Sequence, residues 1–121
     1  MGELKKYSQK TFETIKHFTG ENIEFWYARE LQKVLEYKQW RNFNQVIDKA
    51  KVACEISNNN LLDHFADVSN MVELGSGAQR EVEDIMLSRY ACYLIVQNGD
   101  SRKEVNALGQ TYFAVKTRER D

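Results

Sequence analysis

The chain has 121 residues, of which 42% are hydrophobic and 29% are charged, and it contains six glycines and no proline. This length and composition fit one compact domain with its own core and exclude a mainly disordered chain. Because 17 basic residues are set against 18 acidic ones, the net charge of −1 excludes a globally basic nucleic-acid-binding protein, and any attraction to phosphates must come from a local patch.

The N-terminal part of the chain predicts a helix followed by a strand. Phe12 and Ile15 stand close to helical spacing with Phe18, which predicts an amphipathic helix from about Ser8 to Phe18. The threonine and glycine that follow are typical of a helix stop. The short aromatic and β-branched run Ile23–Tyr27 then predicts a strand.

Two further helices are predicted after this strand. The strand runs directly into the second helix, whose outer face carries Arg29 and Lys33. A third helix of about four turns ends at the asparagine-rich run Ser57–Asn60, because asparagine favours turns. The apolar positions are Tyr27, Ala28, Leu31, Val34 and Leu35 in the second helix, and Trp40, Phe43, Ile47, Ala50 and Cys54 in the third.

A β-hairpin is predicted beyond an irregular stretch from Leu61 to Asp67. The run Met71–Leu74 leads into a Gly-Ser-Gly sequence that is typical of a hairpin tip. The next stretch, Gln79–Leu87, fits both a helix and a returning strand, and we predict the strand.

Two helices are predicted to close the chain. Ser88 is placed to cap a central, buried helix, and Gly99 suits the left-handed residue that ends it. Ser101 and Glu104 have the spacing of a capping box for the last helix, from about Arg102 to Arg118. The inward positions are Ala91, Leu94 and Ile95 in the first of these helices, and Val105, Leu108, Tyr112 and Val115 in the second. Together the elements predict an α+β fold: one mainly helical domain over residues 1–121 with a small antiparallel hairpin or sheet.

Motifs of enzyme chemistry are absent from the sequence. It has no phosphate-binding loop, zinc-protease motif or hydrolase nucleophile elbow. Cys54 and Cys92 lack metal-ligand spacing and are predicted to be reduced core thiols. His17 and His64 have no partner at ligand spacing. We therefore expect no cofactor, no metal and no catalytic residue.

One acidic triplet, Glu81, Glu83 and Asp84, has the ligand chemistry for a divalent cation. On a strand, however, alternate residues face opposite sides, which separates Asp84 from the two glutamates. We interpret the triplet as solvated charges that protect a hairpin edge. A metal-dependent nuclease built on the triplet is the alternative.

Basic residues near the start of the third helix are candidates for nucleic-acid binding. The segment Tyr37–Arg41 interleaves aromatic rings with cations, as proteins that hold single-stranded nucleic acid do. Arg29 and Lys33 lie one turn apart on the preceding helix and extend this patch. Trp40 also begins the apolar stripe of its helix, so we interpret its ring as part of the core in preference to a stacking platform, which leaves only the cations free.

A second pair of cations, Arg102 and Lys103, stands in the first turn of the last helix. The helix dipole disfavours positive charge there, and a phosphate contact is one explanation for the two cations. Neutralisation by the flanking Asp100 and Glu104 is the other explanation. The complete set of candidate nucleic-acid-binding residues is Arg29, Lys33, Lys38, Arg41, Arg102 and Lys103.

Two stretches resemble one bacterial family. Leu87–Asp100 and Gln110–Arg118 resemble the DNA-damage-inducible protein D family, and shorter similar stretches are Ala28–Leu31, Ala50–Cys54 and Asp63–Phe65. That family in turn resembles the N-terminal domain of baculovirus-repeated-ORF (BRO) proteins and phage antirepressors, a small α+β module usually described as DNA-binding. The resemblance implies a hairpin before the first stretch. Because family members are commonly longer, it also implies that a C-terminal part is absent here.

The resemblance implies a role in the bacterial response to DNA damage, with modulation of the recombinase filament on single-stranded DNA. The resulting prediction is a non-enzymatic, cytoplasmic regulatory module of the SOS response that contacts DNA, a recombinase filament or both. No membrane partner is expected, because the sequence lacks a long apolar run and a signal-like N-terminus. The alternatives are an antirepressor-type protein–protein interaction domain without DNA binding and the metal-dependent nuclease.

Overall fold

A computed structural model describes residues 11–100 and 102–119, with side chains as far as residue 114. Residues 11–14 are helical and form α1. The other elements are β1 (His17–Phe18), β2 (Glu24–Tyr27), α2 (Ala28–Val34), α3 (Trp40–Ile56), α4 (Leu61–His64), β3 (Phe65–Glu73), β4 (Gln79–Leu87), α5 (Arg89–Gln97) and α6 (Glu104–Glu119). The strands form one antiparallel sheet in the order β1-β2-β4-β3. This arrangement confirms the predicted α+β class.

The hairpin of β3 and β4 is the longest paired part of the sheet. Its register runs from Phe65 opposite Leu87 to Glu73 opposite Gln79. Gly77 in the connecting turn has a φ of 87°, a conformation that glycine adopts without strain. The predicted strand Gln79–Leu87 is therefore confirmed with the same bounds.

The core lies where α5 packs between the sheet and the neighbouring helices. Phe12, Trp26 and Phe113 are fully buried and meet edge to face, with ring centroids 5.2 to 5.3 Å apart for the two pairs that involve Phe113. On α5, Ser88 Oγ accepts a hydrogen bond from the Ala91 N–H, which confirms the predicted cap. The central, buried position of this helix is also confirmed. Both cysteines are buried and free, as predicted.

The prediction for the first helix was wrong beyond residue 14. A turn follows at Ile15, and His17–Phe18 form β1, which pairs with β2 at His17 opposite Phe25. The side chain of Phe18 is 56% exposed, so its helical spacing did not reflect burial. The predicted start at Ser8 lies outside the described residues.

The predicted irregular stretch from Leu61 to Asp67 is ordered. It contains the short helix α4, whose first turn is capped by Asn60 through a 3.0 Å hydrogen bond from the Leu62 N–H. Strand β3 begins at Phe65, earlier than the apolar run Met71–Leu74 suggested. Alternating polar residues masked this part of the strand, because only one of its faces packs inward.

The junction before α6 differs from the prediction. Among the described glycines only Gly77 has a positive φ, so Gly99 does not end α5 in a left-handed conformation. Its lack of a side chain matters for another reason: a Cβ atom would lie 2.8 Å from Asn106 Oδ1 and 2.9 Å from the Tyr37 hydroxyl. Ser101 of the predicted capping box lies outside the described residues, while Asp100 Oδ1 accepts from the Arg102 N–H.

Helix α6 turns a different face inward than its apolar spacing predicted. Val105 is buried as expected, but Leu108 and Tyr112 are only half-buried. Asn106 and Phe113 are buried instead, because Asn106 donates to the Val96 carbonyl and Phe113 packs on Trp26. The predicted inward residue Val115 lies outside the described side chains. Within the described part of the chain, no helix is long and apolar enough to cross a membrane.

Candidate nucleic-acid interface

A cation–π contact joins the N-terminal ends of α2 and α3. The guanidinium carbon of Arg29, on α2, lies 4.2 Å from the ring centroid of Trp40, the first residue of α3. Arg29 Nε also donates a 2.8 Å hydrogen bond to the carbonyl of Glu83 on β4. Arg29 therefore ties α2 to both α3 and the hairpin, and its charge is partly committed to the fold.

Three rings form a continuous row beneath this junction. Trp40 meets Phe43 with centroids 6.2 Å apart, and Phe43 meets Tyr37 at 5.0 Å. Lys103 Nζ lies 3.8 Å from the Tyr37 centroid, so a cation covers each end of the row. Because Trp40 and Tyr37 each pack on Phe43 and carry a cation, the core interpretation of Trp40 is favoured over a base-stacking platform.

Three of the six candidate cations remain unengaged in the described part of the chain. Lys33 on α2, Lys38 in the following loop and Arg41 in the first turn of α3 are exposed, and none makes a hydrogen bond or ion pair with the described part of the chain. Together with Arg29 they form what we call the α2–α3 cationic surface. Cations that the fold does not use remain available to phosphates.

The other two candidates have partners within the fold. Arg102 forms an exposed ion pair with Asp100, and its hydrogen bonds lower the pKa of that carboxyl below the ordinary value. Lys103 Nζ donates to the carbonyls of Leu35 and Glu36, at 3.4 and 3.0 Å, and so satisfies acceptors at the end of α2. Arg102 and Lys103 precede α6, which begins at Glu104, so the prediction that they stand in its first turn was wrong. Lys103 instead connects the segment before α6 to the end of α2.

The acidic triplet is split between two faces of β4. Glu81 and Glu83 are exposed, but Asp84 is only 3% exposed, so its interpretation as a solvated charge was wrong. Its carboxylate accepts from the N–H groups of Arg29 and Ile85 and from the Asn70 amide, at 3.0, 2.8 and 2.7 Å. No three metal-ligating side chains gather anywhere among the described residues.

Asp84 serves as the N-terminal cap of α2 from a distance in sequence. The residue that precedes the helix, Tyr27, makes no side-chain cap, and Asp84 binds the Arg29 N–H instead. A carboxylate at a helix N-terminus also complements the helix dipole. The capping role had no signal in the sequence, because capping patterns are read from neighbouring residues and Asp84 is 55 residues away from Arg29.

A second carboxylate, partly buried, holds the beginning of α5. Arg89, only 3% exposed, donates through Nε and Nη2 to Glu24 on β2, at 2.6 and 3.0 Å. Its guanidinium carbon lies 5.1 Å from the ring centroids of both Trp26 and Tyr112. Burial alone would raise the pKa of Glu24, but the hydrogen bonds and charge of Arg89, with those of Lys16, lower it below its ordinary value. This pair is part of the scaffold, not of the exposed surface.

The chain is similar to one described protein family and to one curated bacterial protein. The sequence profile described as BRO family, N-terminal domain, matches residues 14–114. The DNA damage-inducible protein D of Escherichia coli (strain K12) is 51% identical over 110 residues, which are 91% of this chain and 40% of that protein. The chain therefore spans about two fifths of the length of this curated relative. No solved structure matches the chain.

Proposed function

Because this chain belongs to the family of BRO N-terminal domains, we propose that it is a non-enzymatic regulatory module of the response to DNA damage that contacts nucleic acid through the α2–α3 cationic surface. The role in DNA damage is drawn from the name of its 51% identical relative. The nucleic-acid contact is drawn from the surface itself. Both concern the domain and not the longer protein that the relative represents.

The observation that carries the nucleic-acid contact is the unengaged state of Lys33, Lys38 and Arg41. In a chain whose net charge is −1, no global field draws in DNA. Three cations within nine residues of the sequence, without partners in the described part of the chain, supply a local attraction for phosphates. Arg29 contributes at the edge of this group, while Arg102 and Lys103 act in the fold.

The arrangement favours backbone contacts over base contacts. The rings of Trp40 and Tyr37 each pack on Phe43 and are each covered by a cation. Bases therefore have no free ring in this row on which to stack. Binding is then weak, insensitive to base sequence and strongly dependent on salt. The proposed target is DNA in the cytoplasm, either alone or within a recombinase filament.

The test measures affinity for fluorescent single-stranded and duplex oligonucleotides over a series of salt concentrations. The triple variant Lys33→Gln, Lys38→Gln and Arg41→Gln should flatten the plot of log affinity against log salt by about 2 to 3, from about 0.7–0.9 for each phosphate that the protein no longer neutralises. A matched control removes three cations elsewhere: Lys49→Gln, Lys51→Gln and Arg80→Gln.

The control variant has the same net charge as the test variant, and its salt dependence should remain close to that of the wild type. Equal losses of affinity in the two variants would show that net charge alone matters and would contradict a defined surface. Absence of DNA affinity even at low salt would favour the antirepressor-type alternative, in which the domain binds only protein.

The non-enzymatic part of the proposal has its own test. Purified protein is incubated with single-stranded and duplex DNA in the presence of Mg²⁺ or Mn²⁺, and cleavage is followed by gel electrophoresis. We expect no cleavage. Metal-dependent cleavage that disappears in Glu83→Ala would refute the proposal and support the nuclease alternative.

A further inference from the structure

Strand β3 forms a long edge of the sheet. In the order β1-β2-β4-β3 it has a neighbour on one side only, and it is nine residues long. At one end of the hairpin the Ser88 N–H donates to the His64 carbonyl, and at the other the Leu74 N–H donates to the Ala78 carbonyl. These two hydrogen bonds fix which residues of β3 direct their backbone groups toward β4.

In an antiparallel pair, hydrogen-bonded and non-bonded positions alternate along the strand. His64 and Leu74 are bonded positions, so the even-numbered residues between them bond to β4 and the odd-numbered ones point their backbone groups outward. Phe65 directly follows α4, so the outward residues along the rest of the strand are Asp67, Ser69, Met71 and Glu73. No described residue donates to or accepts from their outward N–H and C=O groups.

The side chains of these same residues lie on an acidic face of the hairpin. Asp67 and Glu73 are on β3, while Glu83 and Glu81 stand opposite Ser69 and Met71 on β4. All four carboxylates are exposed. Part of this face borders a cavity of about 670 Å³ between the hairpin and α3. On the α3 side, the cavity is lined by the carboxylate of Asp48 and the ammonium group of Lys51.

The opposite face of β3 is mainly apolar. Ala66, Val68 and Val72 lie there with Asn70, and all four are half-buried. A strand added to the edge would therefore meet carboxylates with one set of alternate side chains and apolar groups with the other. The edge thus specifies a pattern as well as a backbone pairing.

We propose that the outer edge of β3 receives an extended segment of a partner protein in which lysine or arginine alternates with apolar residues, and which adds to the sheet as a fifth strand. Main-chain hydrogen bonds to the outward groups give the affinity, and the alternating side chains give the specificity. The cations lie over Asp67, Glu73 and the neighbouring glutamates of β4. The edge lies beside the α2–α3 cationic surface, because Arg29 and Lys33 border one pocket with Val72 and Glu73, but strand addition does not require DNA binding.

Charge selects this occupant over two others. A second copy paired through β3 would place Asp67 and Glu73 of both copies on the same face, and facing like charges are unfavourable. Nucleic acid is repelled by the same carboxylates. Acidic residues on an edge strand prevent self-association, and the same residues attract a basic strand.

The first experiment uses the protein as it stands and a fluorescent nine-residue peptide of alternating arginine and valine. Anisotropy should show saturable, salt-sensitive binding. A peptide of the same composition with its arginines grouped at one end should bind about tenfold or more weakly, because only the alternating one matches both faces. Equal affinity for the two peptides would overturn the proposal and indicate non-specific attraction.

Variants of the edge separate backbone pairing from charge. Ser69→Pro removes one outward N–H and places a proline where an edge strand tolerates it, and it should weaken binding about tenfold or more. Asp67→Lys with Glu73→Lys should do the same and lower the salt dependence. The control Glu21→Lys with Glu36→Lys makes an equal change of charge away from the edge and should remain within about twofold of the wild type.

A peptide test covers the case in which Ser69→Pro does not fold. N-methylation of alternate amides in the peptide should abolish binding in one register, in which the methyl groups point at β3, and leave it unchanged in the other. Loss of binding in both registers, or in neither, would overturn strand addition. A wild-type protein that sediments as a dimer and becomes monomeric in Asp67→Lys with Glu73→Lys would assign the edge to a second copy and also overturn the proposal.

Discussion

The ion pair of Glu24 and Arg89 and the α2–α3 cationic surface use the same kinds of side chain for opposite purposes. In the first, a buried guanidinium that packs on aromatic rings donates two hydrogen bonds to a partly buried carboxylate. In the second, Lys33, Lys38 and Arg41 are exposed and have no partner in the described part of the chain. The difference teaches that a charged side chain with partners inside the fold stabilises the structure, whereas one without such partners is available to bind a ligand.

The remaining candidate cations lie between these two extremes. Arg29 stacks on Trp40 and binds a carbonyl, and Lys103 binds two carbonyls at the end of α2. Arg102 is 90% exposed in its side chain, but it is paired with Asp100. Their substitution should therefore affect stability or local order as well as binding, which makes them poor probes of a nucleic-acid contact.

Breaking the buried pair should have the largest effect. Arg89→Met removes two hydrogen bonds from the partly buried Glu24 carboxylate, which keeps its 3.5 Å ion pair with Lys16. We expect the free energy of unfolding, measured by urea denaturation, to fall by about 3 kcal/mol, the lower end of the range for breaking a buried pair. Arg89→Lys retains the charge but cannot form the two-point hydrogen bond, so its destabilisation should be smaller. A decrease under about 1 kcal/mol in Arg89→Met would show that the pair does not support the fold.

Removal of the Asp84 carboxylate, which links the hairpin to α2, should have the second largest effect on stability. Asp84→Ala removes three hydrogen bonds to a carboxylate, including the cap of α2, and should lower the free energy of unfolding by about 2–3 kcal/mol. The neighbouring Glu83→Ala, on the exposed face, should stay within about 0.5 kcal/mol of the wild type. Similar destabilisation in both variants would contradict the division of the acidic triplet.

The elements that the sequence predicted correctly are those with a strong local signal. Helix α3 followed from the spacing of Phe43, Ile47 and Ala50, and the hairpin followed from its glycine-containing turn. The cap by Asp84 and the pairing of Arg89 join residues 55 and 65 positions apart. Such interactions exist only once the sheet has formed, so no periodicity encodes them.

The same limit applies to the candidate interface. The sequence placed the cations outside the apolar stripes, which is correct for Lys33, Lys38 and Arg41. It could not show that Lys103 reaches carbonyls at Leu35 and Glu36, because the acceptors belong to a helix end nearly 70 residues earlier in the chain. The sequence pattern therefore identified the candidate cations, and the tertiary structure showed which of them have partners in the fold and which do not.

Gly99→Ala tests the packing of α6 against the aromatic row. The new methyl group would press on Asn106 and on the Tyr37 hydroxyl, both held in a packed interior, and overpacking of this kind costs about 1–3 kcal/mol. The control is Gly75→Ala, where nothing lies within 4 Å of the added atom, and its stability should change by less than about 0.5 kcal/mol. Thermal denaturation of the two variants distinguishes close packing from a general loss of glycine flexibility.

Acid should weaken the buried pair in a predictable direction. The pKa of Glu24 is lower in the folded protein than its ordinary value of 4.5, so the unfolded chain takes up this proton at a higher pH. The contribution of the pair is therefore complete above about pH 6 and is lost as the pH falls through the folded pKa. Urea denaturation between about pH 7 and pH 3 should show this decline, and Glu24→Gln should make it shallower. An unchanged acid limb in Glu24→Gln would assign the decline to other carboxyls.

The smallest effect on stability should come from the surface proposed to matter most for binding. Lys33→Gln, Lys38→Gln and Arg41→Gln together should change the free energy of unfolding by less than about 1 kcal/mol, since exposed side chains without internal partners contribute little to the fold. Lys103→Met is the comparison variant: it removes two hydrogen bonds from a charged donor and should cost more than the triple variant. Calorimetry of both variants, alongside their DNA affinities, tests the division directly. If the triple variant were the less stable of the two, these cations would have partners in the fold, and weaker DNA binding could no longer be attributed to the phosphates alone.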